Sequence, residues 1–144
     1  MATIDRAVGG TNFADGRNGR CFVLTQTYDP ATDAAVTSAD TLQMLSIPAN
    51  TWVLAVHADV TTAEGSALTA LVGDVADPNG WIASLDLNAV AVTFADGAYN
   101  NDVMSIIGHH FPAASVISLT TISASITTAV FSLRATCIQF DVND

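Results

Sequence analysis

The chain has 144 residues, half of them hydrophobic, and a formal net charge of -10 from 4 Lys+Arg against 14 Asp+Glu. One domain of this length buries about two-thirds of its unfolded surface, so a core forms without help from a disulfide or a metal. The acidic balance disfavours nucleic acid and anionic membranes as direct partners, because both are held by cations that displace counterions.

The charge is uneven in kind as well. There is no lysine, and Glu64 is the single glutamate beside thirteen aspartates. Aspartate suits a fold rich in turns, where a short carboxylate bonds to nearby backbone amides; adaptation to salt would raise the acidic content too. The apolar runs are about five to eight residues long, the length of strands and far short of the ~20 residues of a membrane helix.

In chain order, Met1–Arg20 is rich in Gly, Asn, Asp and Arg, has no periodicity and holds no apolar block. It reads as an irregular N-terminal arm and not as a secretory signal, with the domain proper spanning 21–144. Cys21–Tyr28 is a strand ended by Asp29-Pro30, and Thr41–Ile47 is a second, stopped by Pro48-Ala49-Asn50, since proline cannot donate to a ladder. Thr51–Thr62 alternates, with Trp52, Leu54, Val56, Ala58 and Val60 on one face and Val53, Ala55, His57, Asp59 and Thr61 on the other, the period of a half-buried strand.

Ala67–Val75 follows a turn at Ala63-Glu64-Gly65-Ser66. Asp77-Pro78-Asn79-Gly80 is a strong turn leading into Trp81–Leu87. Ala89–Asn101 is ambiguous, and Val103–Phe111 is a further strand closed by Pro112. Val116–Ile122 and Val130–Val142 read as a final antiparallel pair, with Phe131, Leu133, Ala135 and Cys137 on one face. Helix has little support, because Asp33–Met44 lacks an apolar stripe at helical spacing. About eight short strands predict an all-β, antiparallel, jelly-roll-like sandwich.

Groups capable of chemistry are sparse. His109-His110 would point to opposite faces of a strand and could not share one ion; His57 lies far away in sequence. Asp74, Asp77 and Asn79 before Gly80 bring oxygens together as a weak calcium candidate, although turn geometry explains the same residues. No catalytic residues and no cofactor are implied: serines lack the nucleophile-elbow context, and no pair of acids stands out. Trp52 opens an alternating strand and is expected in the core, whereas Trp81 and Tyr99 are the surface-aromatic candidates, for stacking a sugar or anchoring a protein. Cys21 and Cys137 could form one bridge or remain two thiols of apolar strands.

The stretch Asp40–Asn88 resembles small virion proteins of tailed bacteriophages. Its markers are Ile47-Pro48-Ala49, the long strand Trp52–Val60, Thr62-Ala63-Glu64-Gly65, the Gly73-Asp74 step and Asp77-Pro78-Asn79-Gly80-Trp81, with a similar character in Ser118–Val142. Val75 and Ala76 depart from it, standing where a glycine-richer turn is expected. The resemblance implies a non-enzymatic head decoration, or cement, protein. Such a chain would bind the major capsid protein on the outer face of the head, form a homo-oligomer (a trimer in preference to a dimer), and be made in the host cytoplasm. An acidic surface fits the outside of a shell whose lumen holds DNA. The arm, through Arg6, Arg17 and Arg20, is the segment expected to order on the shell. The alternatives are a tail-associated or fibre module on the same scaffold, or a carbohydrate-binding jelly roll using Trp81 and Tyr99.

Overall fold

The computed structural model of the chain describes residues 3–5, 19–38, 40–95, 99 and 108–140. Its strands are β1 (Thr3–Asp5), β2 (Gly19–Tyr28), β3 (Thr41–Ile47), β4 (Thr51–Thr62), β5 (Thr69–Gly73), β6 (Ile82–Asp86), β7 (Val92–Phe94), β8 (His109–Phe111), β9 (Ser115–Thr121) and β10 (Val130–Phe140). No α-helix occurs among the described residues.

The strands form two antiparallel sheets. A six-stranded sheet runs β1-β2-β10-β4-β7, with β8 also pairing β4, and a four-stranded sheet runs β3-β9-β5-β6. Their inner faces make the core. Val53, Val56, Ala58, Leu133, Ala135 and Cys137 from the first meet Leu45, Ile47, Val72, Leu85, Ile117 and Leu119 from the second, each at most 1% exposed. The architecture is the all-β, antiparallel, jelly-roll-like sandwich that the short apolar runs and turn residues predict.

Several particulars differ from the sequence reading. The last two long strands are not a pair: β9 lies between β3 and β5, and β10 lies between β2 and β4 in the other sheet. The Ser/Ala/Thr-rich connection between them crosses from one sheet to the other, held by an isolated bridge between Val36 and Ile126. At the N-terminus, Thr3–Asp5 adds an edge strand to β2, and β2 itself starts at Gly19; residues 6–18 of the expected arm lie outside the described residues.

The third difference moves side chains from one face to the other. β4 is buried at Thr51 and Val53 and again at Val56, Ala58 and Val60, while Leu54 and Ala55 are both exposed. Opposite them the ladder to β10 steps from Ala55↔Thr136 to Val53↔Cys137, leaving Leu54 as the extra residue of a β-bulge. A bulge inserts one residue and reverses the alternation beyond it. Trp52 and Leu54 therefore sit on the outside of the six-stranded sheet, and the expectation of Trp52 as a core residue is corrected.

Candidate functional site

The turn after β5 shows what its aspartates do. Asp74 Oδ1 accepts the backbone N–H groups of Ala76 and Asp77, each at 2.8 Å, and Oδ2 accepts the Tyr99 hydroxyl at 2.7 Å. The Asp74 N–H donates to the Asp77 carbonyl at 2.9 Å, and Asp77 Oδ1 receives the Asn79 N–H at 3.4 Å. Both Asp74 oxygens and Asp77 Oδ1 are thus engaged in shaping the turn, and side-chain capping by Asp74 removes the need for glycine at Val75 and Ala76. Among the described residues, no group of three or more His, Cys, Asp or Glu side chains is placed to hold a metal.

Trp81 and Tyr99 are buried, at 5% and 7% exposure, so they offer no stacking platform at the surface. Trp81 meets Tyr99 edge-on at 5.1 Å, and Tyr99 stacks on His109 at 3.9 Å with Phe111 beyond. Gly80 makes room for this packing: a Cβ there would come within 2.6 Å of the Tyr99 ring. Burial, and then the hydrogen bond to Asp74, raise the Tyr99 phenol well above its ordinary value. His109 turns inward against Tyr99, while His110 stacks on Trp52 outside at 5.2 Å, the opposite orientations expected of neighbours in a strand.

Glu64 makes a second buried polar site that nothing in its local sequence announces. Its carboxylate, between β4 and β5, accepts the backbone N–H groups of Thr127, Thr128 and Ala129 and the Thr127 hydroxyl. In return, the Thr128 hydroxyl donates to the Glu64 carbonyl at 2.7 Å. Burial alone would raise the Glu64 carboxyl; the Thr127 hydroxyl and the three backbone donors outweigh it and hold the group below its ordinary value. The only signal in the sequence is that Glu64 is the single glutamate.

The outside of the six-stranded sheet is the third feature. Eight large hydrophobic side chains are exposed among the described residues; Val23, Leu54, Val92, Phe94 and Phe140 belong to strands of this sheet and none to strands of the other. The four-stranded sheet shows Thr41, Gln43, Ser46, Ser84 and Asp86 to solvent instead. On the outer face of β2, β10, β4, β7 and β8 the charged pair is Arg134 and Asp59, 3.9 Å apart. His57 lies between Phe94, at 5.5 Å, and Arg134, its register partner; burial and then Arg134 depress its pKa. Arg20 is exposed near the start of β2, and Arg6 and Arg17 lie outside the described residues.

The cysteines are neighbours in register but not partners. β2 and β10 are adjacent, yet Cys21 is exposed on the outer face opposite Ile138, while Cys137 points into the core. Both are free thiols, and burial pushes Cys137 up to about 12. An open groove of about 390 Å³ beside β5 and β6 is lined by Ala67, Leu68, Thr69, Ser84, Asp86, Asn88 and Ser123, with no aromatic side chain for a sugar ring. The arrangement is rich in surfaces and poor in reactive clusters.

No family model matches the chain, and no curated protein does. Solved structures do match its fold. A chain in the capsid of Ralstonia phage GP4 aligns over 93% of this chain and 93% of its own length, with a TM-score of 0.62 at 15% identity. A chain in the capsid asymmetric unit of cyanophage Pam1 aligns over 92% and 91%, with a TM-score of 0.60 at 15% identity. A chain in the acidic stable capsid structure of Helicobacter pylori bacteriophage KHP30 aligns over 85% and 92%, with a TM-score of 0.59 at 13% identity.

Proposed function

We propose that the chain is a structural protein of a bacteriophage virion, without catalytic activity, that sits on the outer face of the head and stabilises contacts between major capsid subunits. The observation that carries this reading is the likeness to chains of three phage capsids, which spans at least 85% of this chain and at least 91% of each of theirs. A match of that extent relates whole chains of similar length, not one domain inside a much larger subunit.

The physical properties agree with the outer placement. A net charge of -10 suits the outside of a shell better than a lumen filled with polyphosphate. The buried carboxylates of Asp74 and Glu64 are spent on backbone N–H groups of turns and connections, which leaves the surface of the sandwich as its working part. Arg20, with Arg6 and Arg17, remains the proposed cationic contribution to the contact with the major capsid protein.

Heads assembled without the chain and heads to which the purified chain is added back make the test. Loss of the chain is expected to lower the temperature at which the genome is released and to sensitise heads to osmotic shock, and addition is expected to restore both. Equal resistance with and without the chain would remove the cement role. Gold-labelled antibody decorating tails and not heads would replace it with a tail-associated module.

A further inference from the structure

We infer that the outer face of the six-stranded sheet is where copies of this chain associate with one another. The inference goes beyond a role on the head and does not depend on it, because the association belongs to the free protein.

Val23, Leu54, Val92, Phe94 and Phe140 are 41–67% exposed, and Trp52 lies half-buried among them. The bulge at Leu54 puts Trp52 and Leu54 there; strict alternation from Val56 backwards would have turned both into the core. Among the described residues the strands of the other sheet expose no large hydrophobic side chain; they show hydroxyl, amide and carboxylate groups and Ala83, so within the two sheets the large apolar exposure belongs to this face.

Charge identifies the occupant. Two copies of a chain with net charge -10 repel one another over most of their surface. The outer face of β2, β10, β4, β7 and β8 is the exception: its Arg134 and Asp59 cancel. The same pair is self-complementary, since Arg134 of one copy can meet Asp59 of another. A basic partner would be drawn to the acidic remainder and would gain nothing from a neutral apolar face, whereas a second copy meets little repulsion there. Size is compatible. Four strands at ~4.8 Å and about ten residues at ~3.3 Å give a face of roughly 600 Å² in projection, near the ~800 Å² that each partner contributes to a standard interface.

The test uses the purified full chain in solution, with mass from light scattering. The wild-type protein is expected at a multiple of 14.9 kDa. Leu54→Asp and Phe94→Asp are each expected to bring it to the single-chain mass with the β-sheet circular dichroism retained, while Ile122→Asp, at a residue equally exposed away from this face, leaves the assembly intact. A second reading is chemical: Cys21, on the same face, should resist a bulky maleimide in the assembled protein and react in the Leu54→Asp variant. A wild-type monomer, or an assembly unchanged by both aspartates with Cys21 reactive throughout, overturns the inference. Because heads take no part, these outcomes are separate from those of the capsid test; a variant that is monomeric yet protects heads would leave both statements standing.

Discussion

Glu64 shows how one side chain joins parts of the chain that sequence keeps apart. Its carboxylate collects three backbone N–H groups and a hydroxyl from residues 127–129, some 63 positions away, where the connection from β9 to β10 changes sheets. Glu64→Gln keeps the shape but turns an amide N–H toward donors and removes the charge that strengthens each bond. A loss of about 2–3 kcal/mol is expected, read as a lower urea midpoint with an unchanged slope. Tyr99→Phe leaves Asp74 Oδ2 without its phenol donor at 2.7 Å and should cost about 1–2 kcal/mol in the same measurement.

Two partly buried histidines, His57 on the outer face and His109 turned inward, set a pH dependence with a definite sign. His57 and His109 both have depressed pKa values in the folded chain, burial being the first cause in each. The unfolded chain therefore binds protons at a higher pH than the folded one, and stability falls as pH drops from about 6.5 through the depressed values. Thermal midpoints measured from pH 7.5 down to 5 should decline, and His57→Gln with His109→Gln should flatten that decline. Glu64 acts in a lower window: its folded pKa is also depressed, so its contribution is intact above about 4.3 and is lost as pH falls through the folded value.

At the scale of elements, the turn after β5 makes a sharp prediction. A Cβ at Gly73 would lie 2.0 Å from the Asp77 carbonyl oxygen, the acceptor that closes the turn through the Asp74 N–H at 2.9 Å. Backbone cannot yield as a flexible side chain would, so Gly73→Ala must open the turn, at a cost of about 2 kcal/mol or more in chemical denaturation.

The same stretch shows what was legible. Strands β3 and β4 have the bounds that Pro48-Ala49-Asn50 and the alternation dictate, because turn chemistry is local. The phase within β4 was not legible: Trp52, Val53, Leu54 and Ala55 are all apolar, so either face of that half could be the inner one until the partner strand imposes the bulge. The two tryptophans accordingly exchange places, Trp52 to the outside and Trp81 to the inside, since each answer depends on a neighbour remote in sequence: β10 for one, Tyr99 for the other. The pairing of β9 and β10 failed for a related reason. Proximity in sequence suggests a hairpin, but both strands need an inner face against a different sheet.

Over the whole molecule, the two proposed contacts differ in their response to salt, which allows them to be separated in one experiment. Attachment to heads through the proposed cations Arg20, Arg6 and Arg17 is electrostatic in its long-range part. That part is screened as the Debye length falls from ~10 Å at 0.1 M to ~3 Å at 1 M salt. Contact through the outer sheet face buries apolar side chains around one cancelling ion pair, and apolar burial is indifferent to simple salt and strengthened by sulfate. Added sodium chloride should therefore release the chain from heads, with affinity falling by on the order of tenfold across that range, while the released protein keeps its assembled mass. Sedimentation of heads, followed by light scattering of the supernatant, reads both quantities from one sample. If the released protein were a single chain at high salt, charge and not the apolar face would be holding the copies together, and Leu54→Asp would lose its expected effect.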